Sequence, residues 1–194
     1  MAYVYELAVS VQTSIQTFEN LKIITKMKTL LLSLFLGLTS ILSVQAQTRF
    51  EVPQKVELKT KDDYVKYEPA IIDAAKWLEE TDLDKEASKR QQVNAFLLQW
   101  VTGSPTVSVE INEQLGKIYG KNAQLLMLYL AGYTKHFLEN KGTATKFSAK
   151  KAGLISMMNV YKKGIEMSKS KEMDKLIKLT NNNQLDNYIN ETFK

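Results

Sequence analysis

The sequence has no cysteine among its 194 residues, and it has only one histidine, His136. A chain without cysteine cannot form a disulfide or use a thiol nucleophile. Structural zinc sites take their ligands mainly from cysteine and histidine, so the usual structural zinc sites are excluded as well. Packing of apolar side chains must therefore stabilise the fold without covalent or zinc crosslinks.

Long hydrophobic runs are also missing. The most apolar stretch, Leu30–Leu42, has about 13 residues, whereas a membrane-spanning helix needs about 20. It follows two lysines, and Val44-Gln45-Ala46 after it places small residues where a signal peptidase reads them. This order predicts a signal peptide over residues 27–46 with cleavage before Gln47.

The predicted signal determines the expected location. Because Gln47 rather than cysteine follows the cleavage site, no lipid is expected at the new N-terminus. We therefore expect a protein exported to the periplasm or the medium, with no transmembrane anchor after cleavage. Residues 1–26 show no cap or clear period. They are interpreted either as an over-extended start upstream of Met27, or as a long n-region or small regulatory extension.

The remaining chain is expected to be one domain preceded by a short lead-in. Residues 47–61 alternate apolar and polar side chains around Pro53, which is typical of an extended segment at an edge or in a loop. Residues 62–194 carry helical periodicity and have the length of one domain. The sequence therefore predicts an extended lead-in followed by a single helical domain.

Helix signals divide the first half of this domain. Thr60-Lys61-Asp62-Asp63 and Pro69 are both signals of a helix start. Pro69 is expected in the first turn of a helix that ends near Glu80, because proline suits that position. Thr81-Asp82-Leu83-Asp84 reads as a capping box that opens a second helix. That helix is expected to end near Thr102, before Gly103-Ser104-Pro105. "TVSVEI" then alternates like an extended crossing, and a short helix is expected at about Asn112–Tyr119.

The second half should contain the core of the domain. Ala123–Tyr133 is apolar almost all round, which indicates a helix buried on every side, so Asn122–Leu138 should be the most buried element. Further helices are expected at about Thr145–Met167, after Ser170, and around Leu185–Phe193. The first of these should bury one stripe and expose a lysine face that includes Lys146 and Lys150. The stripe consists of Phe147, Leu154, Ile155, Met158, Tyr161 and Ile165. The fold class is therefore all-α, with six or seven helices. They form either a single irregular bundle or a short array of stacked helical hairpins.

Lysines are concentrated toward the C-terminus. Between Lys135 and Lys178 there are eleven lysines and four acidic residues, and no arginine follows Arg90. Such a surface is either a solvated helix face or a contact for an anionic lipid or envelope polysaccharide. A nucleic acid partner is not expected for an exported chain with this composition. The candidate contact residues are Lys146, Lys150, Lys162, Lys163, Lys169, Lys171 and Lys175, and Lys178 could extend them.

Residues suited to catalysis are sparse. His136 could act as a general base only with a partner in a pocket, and its position near a helix end also explains it without catalysis. No G-x-S-x-G elbow is present, and Ser104 fits a helix stop. The acids Glu79, Glu80, Asp82, Asp84 and Glu86 lack the glycine of a calcium loop. No cofactor or metal is predicted.

Two segments, "FLLQWVTGSPTVSVEI" and "AQLLMLYLAGYTKHFLEN", resemble small exported helical proteins of bacteria over about residues 90–140. The resemblance implies an envelope location and carries no catalytic motif. We therefore expect an exported, non-enzymatic helical module that binds a protein or an anionic envelope component. The alternatives are a lipid- or glycan-binding envelope protein, or a small hydrolase with carboxylates in an interhelical cleft.

Overall fold

A computed structural model of the chain describes residues 49–193. The predicted start region 1–26, the signal peptide 27–46 and the cleavage site before Gln47 lie outside these residues. The described part contains seven helices. They are α1 (Lys61–Glu80), α2 (Ala87–Gly103), α3 (Glu113–Tyr119), α4 (Gln124–Glu139), α5 (Lys146–Lys163), α6 (Lys171–Asn181) and α7 (Leu185–Thr192).

The all-α prediction is confirmed, since residues 49–193 contain helices and no strand. Helix α4 packs against α1, α2, α3 and α5, and α1 also contacts α5. Stacked hairpins would contact mainly their neighbours along the chain, whereas α1 reaches elements distant in sequence. The helices therefore form one irregular bundle around α4. None of the helices described is both long and apolar enough to cross a bilayer.

Helix α4 is the most buried element, as its composition predicts. Nine of its sixteen residues are buried, a larger share than in any other described helix. Leu128 is almost fully buried and Leu126 is partly buried against the core. Tyr129 and Tyr133 lie on the same helix with ring centroids 6.1 Å apart. The apolar run lies at the centre of the bundle because a helix that is apolar on every side needs other elements to cover it on every side.

Two glycines allow α4 and α5 to approach closely. A Cβ built on Gly132 would lie 2.6 Å from the Cβ of Ser156, and one on Gly153 would lie 2.8 Å from the carbonyl oxygen of Tyr129. Any larger residue would overlap backbone or core atoms at these distances. The main interface of the bundle therefore depends on the absence of a side chain at both positions.

Helix α1 begins at the Thr60 box, the first of the two predicted helix-start signals, and not at Pro69. Thr60 caps it, and the Asp63 carboxylate accepts a hydrogen bond from the Thr60 N–H at 2.8 Å, which completes a capping box. Pro69 is therefore inside the helix rather than in its first turn, and that part of the prediction is wrong. Proline removes the bond to the Val65 carbonyl. Both residues are exposed, so water can replace the lost partner.

The predicted capping box at Thr81 does not start α2. Thr81 instead ends α1, and α2 begins at Ala87 after Glu86, which has a left-handed backbone and no side-chain cap. The buried Arg90 guanidinium donates to the carbonyls of Thr81 at 2.6 Å and Asp82 at 3.2 Å. A cation at a helix C-terminus is favourable. The segment Thr81–Asp84, which resembled a helix start, is therefore the end of α1 bound by Arg90 of α2.

Helix α5 also differs from its predicted form. It ends at Lys163 rather than Met167, because Gly164 adopts a left-handed conformation with φ 69°. Ile155, predicted on the buried stripe, is exposed. Lys150, predicted on the exposed face, is only 8% exposed. The rest of the predicted stripe is buried or partly buried. Only the edges of the buried face differ, because small residues of α5, including Gly153, pack against α4.

Candidate functional site

A cleft lined by both apolar and hydroxyl-bearing side chains lies beside the link between α2 and α3. It has a volume of about 290 Å³. The side chains of Leu98 and Ile111 at its rim are 48% and 57% exposed. Exposed side chains of this size next to a cleft are typical of a binding surface. The groove is lined by Leu98, Val101, Thr102, Ser104, Val107, Ser108, Val109, Ile111 and Leu130.

One wall of this groove is the link segment 104–112, which follows the end of α2. The Ser104 hydroxyl accepts hydrogen bonds from the N–H groups of Thr106 at 3.3 Å and Val107 at 3.1 Å. Val107 is buried in the core, and it anchors the segment. Ser104 therefore acts as the turn residue expected from its position after the helix.

A second anchor comes from α4. The Tyr133 hydroxyl donates to the carbonyl of Ser108 at 3.0 Å. Burial raises the pKa of Tyr133, so the phenol keeps its proton and remains a donor. Together with Val107, this bond attaches one edge of the segment to the bundle.

The other edge of the segment has open backbone groups. Within the described residues, the N–H groups of Ser108, Val109, Glu110 and Ile111 have no protein hydrogen-bond partner. Residues 107–112 form no helix, bridge or turn, and Ser108 is exposed between the buried Val107 and the partly buried Val109. Backbone groups without partners in an extended chain are available to a second strand.

A smaller cleft of about 210 Å³ contains His136 and lies between α4 and α5. His136 is the only histidine of the sequence, and it shares the cleft with the acids Glu79 and Glu139. Each acid is already paired with a lysine. Glu79 contacts Lys135, and Glu139 lies 3.2 Å from Lys76. The cleft therefore brings histidine and carboxylates together, but in ion pairs that neutralise both acids.

The other acidic candidates are spread along the turn after α1. Asp82 is bound by Lys163 at 2.9 Å, and Asp84 by Lys85 at 2.8 Å. Glu86 lies 3.6 Å from Lys89. Glu80 is the last residue of α1, and its carbonyl accepts from Lys163. No group of three or more histidine, aspartate or glutamate side chains within residues 49–193 is arranged to hold a metal ion.

The structure separates the candidate lysines into two sets. Lys146 and Lys150 lie 2.7 Å and 3.2 Å from Glu110, and Lys150 also donates to the carbonyl of Phe193 at 2.8 Å. Lys163 holds Asp82 and the end of α1. In contrast, four other candidates are exposed and have no ion-pair partner in the described part of the chain: Lys162, Lys169, Lys171 and Lys175.

Comparison of the chain with models of protein families, with curated proteins and with solved structures finds no match. The residues of the groove must therefore be judged by their geometry. Sequence reasoning did not identify Leu98, Ile111 or Glu110 as site residues. The alternation in "TVSVEI" indicated an extended segment, but the open edge of that segment depends on how Tyr133 and Val107 hold it.

Proposed function

We propose that the protein is an exported helical binding module, and that the groove along residues 104–112 takes an extended segment of a partner protein. The observation that carries the proposal is the open backbone edge of Val109 and Ile111 beside exposed apolar side chains. An extended peptide can add a strand to such an edge, with main-chain bonds for affinity and apolar pockets for specificity.

The direction of the Ser108 carbonyl supports a particular pairing edge. Neighbouring carbonyls of an extended chain point to opposite edges. Because the Ser108 carbonyl is bound by Tyr133, the N–H and C=O groups of Val109 are expected on the opposite edge. Ile111, two residues later, should share that edge. The partner strand should therefore pair with Val109 and Ile111 and leave Ser108 and Glu110 unpaired.

The alternative of a small hydrolase has less support. A general acid or base must be able to exchange its proton with a substrate, and the acids that share a cleft with His136 are each held by a lysine. The groove along residues 104–112, in contrast, has exposed backbone groups that lack hydrogen-bond partners among residues 49–193. A binding function therefore accounts for more of the described surface than a catalytic one.

Binding can be tested with the chain beginning at Gln47, since Gln47–Lys194 forms one compact unit. A library of short peptides is selected against this protein, and the dissociation constant of a selected synthetic peptide is measured by fluorescence anisotropy. Leu98→Lys and Ile111→Lys should each weaken binding about fivefold or more, because the loss of a central apolar anchor costs over about 1 kcal/mol. Val65→Lys is the matched control, since Val65 is similarly exposed on α1.

Hydrogen exchange of the backbone amides distinguishes strand addition from simple apolar contact. On peptide binding, the amides of Val109 and Ile111 should become protected, whereas those of Ser108 and Glu110 should not. Equal protection at all four positions would contradict the pairing edge. Equal weakening by Val65→Lys and the groove variants would contradict the site.

The export part of the proposal has a separate test. If residues 27–46 are a signal peptide, mass spectrometry of the protein recovered from a bacterial host should show an N-terminus at Gln47. Recovery of the intact chain from the cytoplasm would contradict export. This outcome would leave the peptide-binding measurement unaffected.

A further inference from the structure

We propose that the outer face of α6 docks on an anionic membrane surface through a row of three lysines, Lys171, Lys175 and Lys178. These residues are spaced at i, i+4 and i+7, which places them on one side of an α-helix. All three are exposed. Within the described residues none of them forms an ion pair, and Lys175 lies over the ring of Tyr188 at 5.7 Å. The row is therefore available to an external anion.

The three lysines of the row outnumber the two acids of α6, Glu172 and Asp174. Both acids keep their negative charge, because a hydrogen bond from a neutral tyrosine does not neutralise a carboxylate. Asp174 accepts a hydrogen bond from the Tyr161 hydroxyl at 3.2 Å, and Glu172 is half-buried. Tyr161 also accepts from the N–H of Ser170 at 2.9 Å, which joins the end of α5 to the start of α6. The face of the row thus keeps a positive charge.

Further lysines extend the basic surface beyond a single line. Lys169 and Lys171 flank Ser170, and Lys162 follows Tyr161, so the bond between Ser170 and Tyr161 brings these basic residues into one region. All of them are exposed. A surface that is basic in two dimensions suits a layer of lipid headgroups better than a single polysaccharide chain. We therefore choose anionic phospholipid as the partner.

The apolar side of α6, opposite the lysine row, determines whether the helix can insert into a membrane or only bind its surface. Met173 and Leu176 are buried, and Ile177 packs partly buried against the core. An interfacial helix that inserts into a bilayer needs a free apolar face, and this one is already used in the bundle. Docking should therefore be electrostatic and superficial, and it should be lost as salt is raised.

The test is sedimentation of the chain beginning at Gln47 with vesicles of phosphatidylcholine, with or without phosphatidylglycerol. The protein should bind only the vesicles that contain the anionic lipid. Raising the salt from about 0.01 M to about 0.15 M shortens the Debye length from about 30 Å to about 8 Å, and most binding should disappear. The triple variant Lys171→Gln, Lys175→Gln and Lys178→Gln should bind about 100-fold more weakly, since each lysine near such a surface contributes about 1 kcal/mol.

A matched variant separates the row from net charge. Lys55→Gln, Lys61→Gln and Lys66→Gln together remove the same charge from exposed positions on the lead-in and α1, and they should leave binding nearly unchanged. Thermal unfolding checks that both variants fold. Equal weakening by the two triple variants, equal binding to uncharged vesicles, or binding to a soluble anionic polysaccharide without binding to vesicles would each overturn the proposal.

Discussion

Helices α5 and α6 follow each other in the chain and are both rich in lysine, but the bundle holds them in different ways. Helix α5 lies against α4, and its lysines reach other elements: Lys150 binds the carbonyl of Phe193, and Lys163 binds the end of α1. Helix α6 contacts α3, α5 and α7 with its apolar side. Its lysines remain exposed without ion pairs in the described residues.

The difference shows that lysine spacing alone does not distinguish structural cations from a binding surface. On α5 the same residue type satisfies backbone carbonyls and neutralises Glu110. On α6 the lysine side chains form no ion pair and bind no backbone carbonyl within residues 49–193. If this comparison is right, changes at Lys150 and Lys163 on α5 should alter stability, whereas changes to the lysines of α6 should alter binding to anionic surfaces.

The largest expected effect is at the contact between α4 and α5. Gly153→Ala should lower the free energy of unfolding by about 3 kcal/mol, because its Cβ would overlap Tyr129 and overpacking typically costs about 1–3 kcal/mol. Gly116→Ala on α3 is the control, since the nearest side-chain atom would be 4.0 Å away. It should be neutral or stabilising by up to about 1 kcal/mol. Urea unfolding of both variants checks the result, and equal stability would refute the close contact.

The next effect concerns the buried lysine of α5. Lys150→Ala should destabilise the protein by about 2 kcal/mol, because it leaves the Phe193 carbonyl without its bond. Lys178→Ala on α6 should change stability by less than about 0.5 kcal/mol, as is usual for exposed positions. Thermal unfolding of the two variants compares the helices directly. A large loss for Lys178→Ala would show that α6 is not a free face.

A smaller effect is expected at the end of α5. Lys163→Gln should cost about 0.5–1 kcal/mol, because a cation at the C-terminus of α1 is lost. The neighbouring variant Lys162→Gln should have no measurable effect, since Lys162 is exposed without an ion-pair partner in the described chain. Chemical unfolding at low salt gives the clearest comparison. Identical midpoints for the two variants would contradict the assigned role of Lys163.

The smallest effect is a pH dependence. Hydrogen bonds from Lys146, and then from Lys150, hold the pKa of Glu110 below its usual value of 4.5. A lowered pKa in the folded state adds stability above pH 4.5, and this contribution is lost as the pH falls through the lowered pKa. The melting temperature of Glu110→Gln should therefore lie below that of the parent at neutral pH and converge with it in acid. A constant difference across this range would contradict the assignment.

Much of the fold can be predicted from local signals. The apolar run of α4 predicts the centre of the bundle, and Asn112 and Ser170 are helix caps in the structure. The Thr60 box marks the start of α1, whereas Pro69 lies inside the helix because its exposed position tolerates the lost backbone hydrogen bond. The groove was missed for a different reason. Its exposed edge depends on Tyr133, which is distant from Ser108 in the sequence.

The sequence by itself determines the all-α class, the burial of α4 and the absence of any disulfide, because these depend on composition and on local periodicity. Tertiary structure alone decides which lysines are structural, where the open backbone edge lies, and that Arg90 binds the end of α1 rather than solvent. The physical reason is the range of the interactions. Helix formation and the periodicity of apolar residues depend on a few neighbouring residues. The carbonyls and carboxylates that Arg90 and the structural lysines bind belong to elements that only folding brings together.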